Sequence, residues 1–98
     1  MTLEVRVRPE AEHDLAEAAV WYEEQHAGLG AQFLDEVLAV TSTIAEMPRL
    51  YAILHRNTRR ALMHRFPFGI YYQVDDAGII VIAVMHGSRH PQKWKERA

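Results

Sequence analysis

The sequence predicts an α+β domain in the chain order β-α-α-β-β-β, a helical hairpin packed on one face of a small antiparallel sheet. Three observations predict it. Residues 3–8 alternate apolar and charged side chains, and two stretches between Pro9 and Pro48 repeat apolar residues at helical spacing. From Arg59 onward the chain turns to aromatic and β-branched residues broken by turn signals.

Leu3, Val5 and Val7 alternate with Glu4, Arg6 and Arg8, the period-2 pattern of a half-buried strand. Pro9 ends that strand and opens a helix, where its missing N–H costs nothing. Glu10, Glu12 and Asp14 fill the start of the helix, where the helix dipole favours anions. Ala11, Leu15, Ala18, Ala19 and Tyr22 carry the helix to about Gln25, and Gly28 and Gly30 punctuate a short connection. Phe33, Leu34, Val37, Leu38, Thr41, Ile44 and Ala45 mark a second amphipathic helix, stopped by Pro48. Helices joined so briefly are expected to pack as an antiparallel hairpin.

Residues 50–57 have no clean period and read as a loop with some extended character. Residues 59–66 predict a strand, Pro67 interrupts, and residues 68–75 predict another. Asp75-Asp76-Ala77-Gly78 is a turn with glycine where positive φ is needed. Residues 79–86 are apolar on both faces, which predicts a central strand covered by the helices on one side and by something else on the other. In the tail, residues 92–95 predict one short helical turn, with Trp94 anchoring it to the domain.

The 98 residues fit one domain spanning 1–98, with a core of ordinary composition. Absence of cysteine excludes disulfide staples, thiolate metal sites and a cysteine nucleophile. The alternating N-terminus is no signal peptide, and the longest apolar run, residues 79–85, is far short of the ~20 residues a membrane helix needs. A soluble, cytoplasmic chain with no membrane partner is expected. Its charge is asymmetric: residues 1–48 carry two arginines against ten acids, whereas residues 49–98 carry nine Lys/Arg against three. Either the basic half offers a surface to an anionic partner, nucleic acid or acidic protein segment, or acids simply decorate helices and bases strands.

Residues fit for chemistry are sparse. His86 and His90 stand four apart, but a strand end followed by Pro91 does not hold them at helical ligand spacing, and no third ligand is near. No metal and no cofactor are expected: there is no glycine-rich phosphate loop and no serine beside a plausible base. Asp75 and Asp76 read as a solvated turn, and Trp21 as a packing group.

The segments Arg65-Phe66-Pro67-Phe68-Gly69-Ile70-Tyr71-Tyr72-Gln73-Val74, 79–86 and Arg89-His90-Pro91-Gln92-Lys93-Trp94 together resemble the C-terminal half of the RelE/ParE superfamily of bacterial toxins. Arg8-Pro9-Glu10-Ala11, Asp14-Leu15, Trp21-Tyr22 and residues 44–48 extend the resemblance over nearly the whole chain. It implies the toxin of a type II toxin–antitoxin pair, also called a plasmid stabilisation protein, held inactive by a cognate antitoxin and reaching operator DNA only through it. Superfamily members inhibit DNA gyrase (ParE-like) or cleave mRNA in the ribosome (RelE-like). The resemblance places Arg60 at a RelE-like basic position, but Leu62 where a further basic residue would help and Gly69 where the catalytic arginine is expected. The tail with Arg89, Pro91 and Trp94 is nearer the ParE side. A gyrase inhibitor is therefore the leading expectation, with a metal-independent ribosome-dependent mRNA endonuclease and a non-toxic antitoxin-binding module as alternatives.

If the chain were a nuclease, Arg60, His86 and Arg89 would have to converge on one phosphate. Candidate contacts for target or antitoxin are Arg60, His64, Arg65, His86, Arg89 and Trp94. Strand parity puts Arg60 and His64 on one face and Arg59 and Arg65 on the other, with Arg59, Arg60, Arg65 and Arg89 gathered on the sheet side away from the acidic hairpin. The second face of the 79–86 strand is expected to expose an apolar groove for an antitoxin helix or strand.

Overall fold

The structure, a computed structural model, describes residues 2–88 and 91–98. It contains β1 (Val5–Val7), α1 (Pro9–Gln25), α2 (Leu29–Glu46), β2 (Ile53–His55), β3 (Thr58–Leu62), β4 (Phe68–Asp75), β5 (Gly78–His86) and α3 (Gln92–Lys95). The five strands form one sheet in the order β1-β5-β4-β3-β2. Two features of the sheet order and strand list depart from the sequence reading. β1 lies parallel to β5, because α1 and α2 carry the chain across the sheet before it returns; the other pairings are antiparallel. Residues 53–55, expected within a loop, form a short edge strand on β3.

The hairpin is held by aromatic packing and a carboxylate cap. Tyr22 of α1 stacks on Phe33 of α2 with centroids 5.4 Å apart, and Phe66 and Phe68 close edge-on against Phe33. Phe33, Val37, Val40 and Ile44 face the sheet at the spacing read from the sequence. Burying a side chain of this size stabilises by roughly 1.5–3 kcal/mol. Gly28 sits at φ 88°, a turn that a β-carbon would strain. Gly30 lets the helices touch: a β-carbon there would lie 2.6 Å from the Ala19 carbonyl oxygen. Glu23 accepts hydrogen bonds from the N–H groups of both glycines, capping the start of α2.

β3 ends at Leu62 rather than continuing to residue 66. The N–H groups of His64 and Arg65 turn away from the sheet to donate to the Glu36 carboxylate on α2, at 2.9 Å and 3.1 Å. The alternation predicted for residues 59–66 therefore stops before His64.

The central strand carries a bulge. Tyr71 pairs with Ala83 and Tyr72 with Val81, so Ile82 has no opposite number. Simple alternation would put Val84 on the face of Ile80; the extra residue returns it to the helix side with Ile79 and Val81. Ile82, Ala83 and Met85 then line the other face with Tyr71.

That second face is not the exposed groove expected from the sequence. Trp94 of α3 is buried on it, stacked on Tyr71 at 4.7 Å and 22°, and Ile80 and Ala98 pack against the same cluster. The chain's own tail fills it. The physical reason is a set of three polar ties at the tail's end. Arg97 donates to Asp14 and to the Ile82 carbonyl, and its own carbonyl accepts from Arg8.

Candidate functional site

Arg60 stands on the tail-covered face of the sheet, opposite Tyr71 in the β3–β4 register. Its aliphatic stem lies over Gly69: a β-carbon at position 69 would meet Arg60 Cγ and Cδ at 3.1 Å each. Tyr71 and Trp94 continue this surface, with His55 edge-on to Trp94 at 6.0 Å and Lys95 Nζ 5.9 Å from the Trp94 ring centroid. Among the described residues no carboxylate pairs with Arg60. The arrangement is a half-buried guanidinium beside buried, mutually stacked aromatic rings, its charge able to receive an anionic group.

His86 is on the opposite face. It pairs with Phe68 across the β4–β5 ladder, their rings 5.4 Å apart, and Phe68 belongs to the core beneath the helices. The His86 ring lines an open cleft of about 910 Å³ between α1 and the end of β5, with Asp14, Glu17 and Trp21 along the helix wall. Its Nδ1 accepts from the Ser88 N–H at 3.1 Å and stands 2.7 Å from Ser88 Oγ. Arg60 and His86 therefore do not converge. The third member of the expected constellation, Arg89, lies outside the described residues, as does His90.

The remaining candidates disperse. Arg65 is tied to α2, its Nη2 donating to Gln32 Oε1 at 2.6 Å, and its guanidinium lies over the Phe66 ring at 5.5 Å. His64 is exposed in the same turn. Arg59 points to the helix side of the sheet, where Nη1 donates to the carbonyls of Tyr51 at 2.6 Å and Arg49 at 3.3 Å. The expected gathering of Arg59, Arg60 and Arg65 is thus corrected: one braces a loop, one lies on the tail-covered face, and one joins the acidic hairpin. Trp94 is buried, so it supports the surface around Arg60 through Tyr71 more than it offers a face of its own.

Sequence reasoning missed the Asp14–Arg97 pair. Asp14 Oδ2 accepts both from Arg97 Nη1 at 2.6 Å and from the Val84 N–H at 3.0 Å, while Arg97 donates to the Ile82 carbonyl at 3.1 Å. β1 ends at Val7, and the Arg8 N–H reaches Val81; beyond that point two side chains satisfy the edge of β5 in place of a strand. Asp14 reads in sequence as an ordinary acid of the first helix, and no spacing rule links it to a residue 83 positions away.

A helical hairpin over one face of a five-stranded, mostly antiparallel sheet is the architecture expected of the RelE/ParE superfamily of toxin–antitoxin systems. Residues 5–91 match the family model described as the ParE toxin of type II toxin–antitoxin system, parDE, and the chain belongs to that family. The chain is 33% identical over 95 residues to Toxin ParE2 of Mycobacterium tuberculosis, found in two strains, covering 93% of this chain and 88% of that protein. Its fold matches a chain of the chromosomal ParDE system from P. aeruginosa with TM-score 0.77 at 12% identity, covering 87% of this chain and 96% of the other. It also matches a chain of the RelBE2 toxin–antitoxin complex from Mycobacterium tuberculosis with TM-score 0.61 at 18% identity, covering 88% and 99%. The chain is accordingly a type II toxin-family protein. No helix among the described residues is long and apolar enough to cross a membrane.

Proposed function

We propose that this toxin acts in the cytoplasm as a ParE-like inhibitor of DNA gyrase, neutralised by a cognate antitoxin, and that it is not a ribosome-dependent nuclease. The observation that carries this reading is the separation of Arg60 from His86 on opposite faces of the sheet. Cleavage of RNA without a metal requires a proton carrier and a cation within hydrogen-bond reach of one phosphate, ~3 Å or one bridging water away. A single missing donor of this kind typically costs ~3–4 kcal/mol of transition-state stabilisation. Gly69 supplies no side chain, and its place is taken by the stem of Arg60 rather than by a second guanidinium. Arg60, braced over the buried Tyr71 and Trp94 rings, is then a contact for the target rather than a catalytic group. The single domain spanning 1–98 acts as one module, and operator DNA is reached only through the antitoxin.

The test is induced expression without the antitoxin, followed by two assays. Growth arrest with inhibited supercoiling by purified gyrase, relieved by the antitoxin, is the expected result. Discrete new 5′ ends on ribosome-bound message, lost on Arg60→Ala or His86→Ala, would overturn it in favour of the nuclease. Unaffected growth with intact antitoxin binding would leave only a non-toxic binding module.

A further inference from the structure

The segment after α2 is braced from inside and apolar outside. Tyr72 donates its hydroxyl to the Pro48 carbonyl at 2.7 Å, and Arg59 holds the carbonyls of Arg49 and Tyr51. The Leu50 N–H donates to the Met47 carbonyl at 3.1 Å, closing a turn. On the outside, four large apolar side chains within eight residues are exposed: Met47 (50%), Leu50 (59%), Ile53 (50%) and Leu54 (44%). Isolated exposed apolar residues are ordinary, but a run of them on a segment fixed by side-chain ties is the form of a docking ridge. Ordering costs on binding are small where the backbone is already held.

The charge around the ridge says what it receives. The ridge and its ends, residues 47–56, contain Arg49, His55 and Arg56 and no carboxylate, Glu46 of α2 being the nearest acid in the chain. Arg49 and Arg56 are exposed at the two ends of the ridge, and among the described residues neither pairs with an acid. A second copy of this chain docking by two-fold symmetry would bring these arginines together, which disfavours self-association. β2 is only three residues long and shifts register between Ile53 and His55, so it offers side chains rather than a ladder for an added strand.

We infer that the ridge of Met47, Leu50, Ile53 and Leu54 docks an antitoxin segment whose apolar anchors are flanked by carboxylates facing Arg49 and Arg56. This rests on the antitoxin reading above and names its surface. It sits at the β2 edge of the sheet, at the opposite end from β1, on a surface that the resemblance did not single out.

The test uses the full chain and the antitoxin encoded beside its gene, with binding measured by titration calorimetry at low and physiological salt. Two double variants, Leu50→Ser with Leu54→Ser and Arg49→Glu with Arg56→Glu, change only exposed side chains, and circular dichroism and thermal melting confirm that each still folds. The expected result is at least tenfold weaker binding for each pair, with the arginine pair also losing most of the salt dependence. Binding within twofold of wild type for both pairs would overturn the ridge while leaving the antitoxin reading intact. Absence of binding by wild type would overturn the antitoxin reading and the ridge with it. A wild-type dimer by ultracentrifugation that either pair dissolves would make the occupant a second copy, against this inference.

Discussion

Arg97 and Asp14 form a bidentate ion pair, Nη1 to Oδ2 at 2.6 Å and Nη2 to Oδ1 at 3.2 Å, joining the end of the tail to the first helix. The pair also satisfies the backbone of β5 at Ile82 and Val84, where β1 no longer reaches. It holds α3 and its tryptophan over the second face of the sheet, and so decides that this face is closed.

Removing one partner of such a pair is costly because the other is left mostly buried with its charge unpaired. The side chains of Arg97 and Asp14 are 23% and 11% exposed, so solvent screens them only in part. Asp14→Ala should destabilise by ~2–4 kcal/mol, since it leaves the Arg97 charge without its carboxylate, held only by the Ile82 carbonyl, and orphans the Val84 N–H. Arg97→Ala should cost less, ~1–3 kcal/mol, because the Val84 bond survives. Urea unfolding of both single variants and the double variant gives the coupling. Strictly additive losses would mean that the two side chains act independently.

Glu23 links pH to the hairpin. Hydrogen bonds from the Gly28 and then the Gly30 N–H hold its carboxyl below the ordinary value of 4.5, with burial opposing and His26 assisting. A carboxyl whose pKa is lowered by folding stabilises the folded state above its unfolded pKa, and that contribution fades as pH falls through the folded value. Glu23→Gln should therefore melt lower than wild type at pH 7, with the gap closing as pH falls below 4.5. A gap of constant size from pH 7 to pH 3 would show that the carboxylate charge is irrelevant to the cap.

Much of this fold is legible in the sequence where local pattern and packing agree. The period-2 run at residues 3–7, the Pro9 helix start and the apolar spacing from Phe33 to Ile44 each report a face that the structure buries. What was not legible depends on pairings distant in the chain. The early end of β3 follows from Glu36 capturing two N–H groups 28 and 29 residues away. The bulge at Ile82 reverses the parity of Val84, and an alternating apolar strand gives no sign of an inserted residue. The candidate site fared similarly: Arg60 is the middle residue of β3 and His86 the last of β5, and only the sheet register, with its bulge, shows that they face apart.

Tyr72 is a second titrating tie. Burial pushes its hydroxyl up to about 12, with the Arg59 guanidinium pulling it down and Tyr51 adding to the rise. Its hydroxyl donates to the Pro48 carbonyl at 2.7 Å and so braces the segment after α2. Because folding raises this pKa, its contribution is complete below pH 10 and is lost as pH rises towards 12. Tyr72→Phe should cost ~1–2 kcal/mol near neutrality, the price of an unmet carbonyl. Ultraviolet titration of the wild type should show a tyrosine step near pH 12, and that step should be absent from the variant.

Gly69 tests the division of the sheet into two faces. The atoms nearest a β-carbon there are Arg60 Cγ and Cδ at 3.1 Å and Tyr71 Cε1 at 3.4 Å. Two of these three atoms belong to a flexible stem that can move by a few tenths of an ångström. Alanine also restricts the unfolded chain more than glycine, a gain of roughly 0.5–1 kcal/mol in a strand. Gly69→Ala should therefore unfold within about 1 kcal/mol of wild type. Gly69→Arg goes further, placing a second cation where the Arg60 stem now lies and driving Arg60 outward by repulsion. If the nuclease lacked only an arginine at this position, Gly69→Arg would acquire activity. It should not, because His86 remains across the sheet, in the cleft beside α1. Primer extension on message from cells expressing Gly69→Arg should show no new 5′ ends. Ends that appear and then vanish on His86→Ala would show that the two faces can cooperate after all.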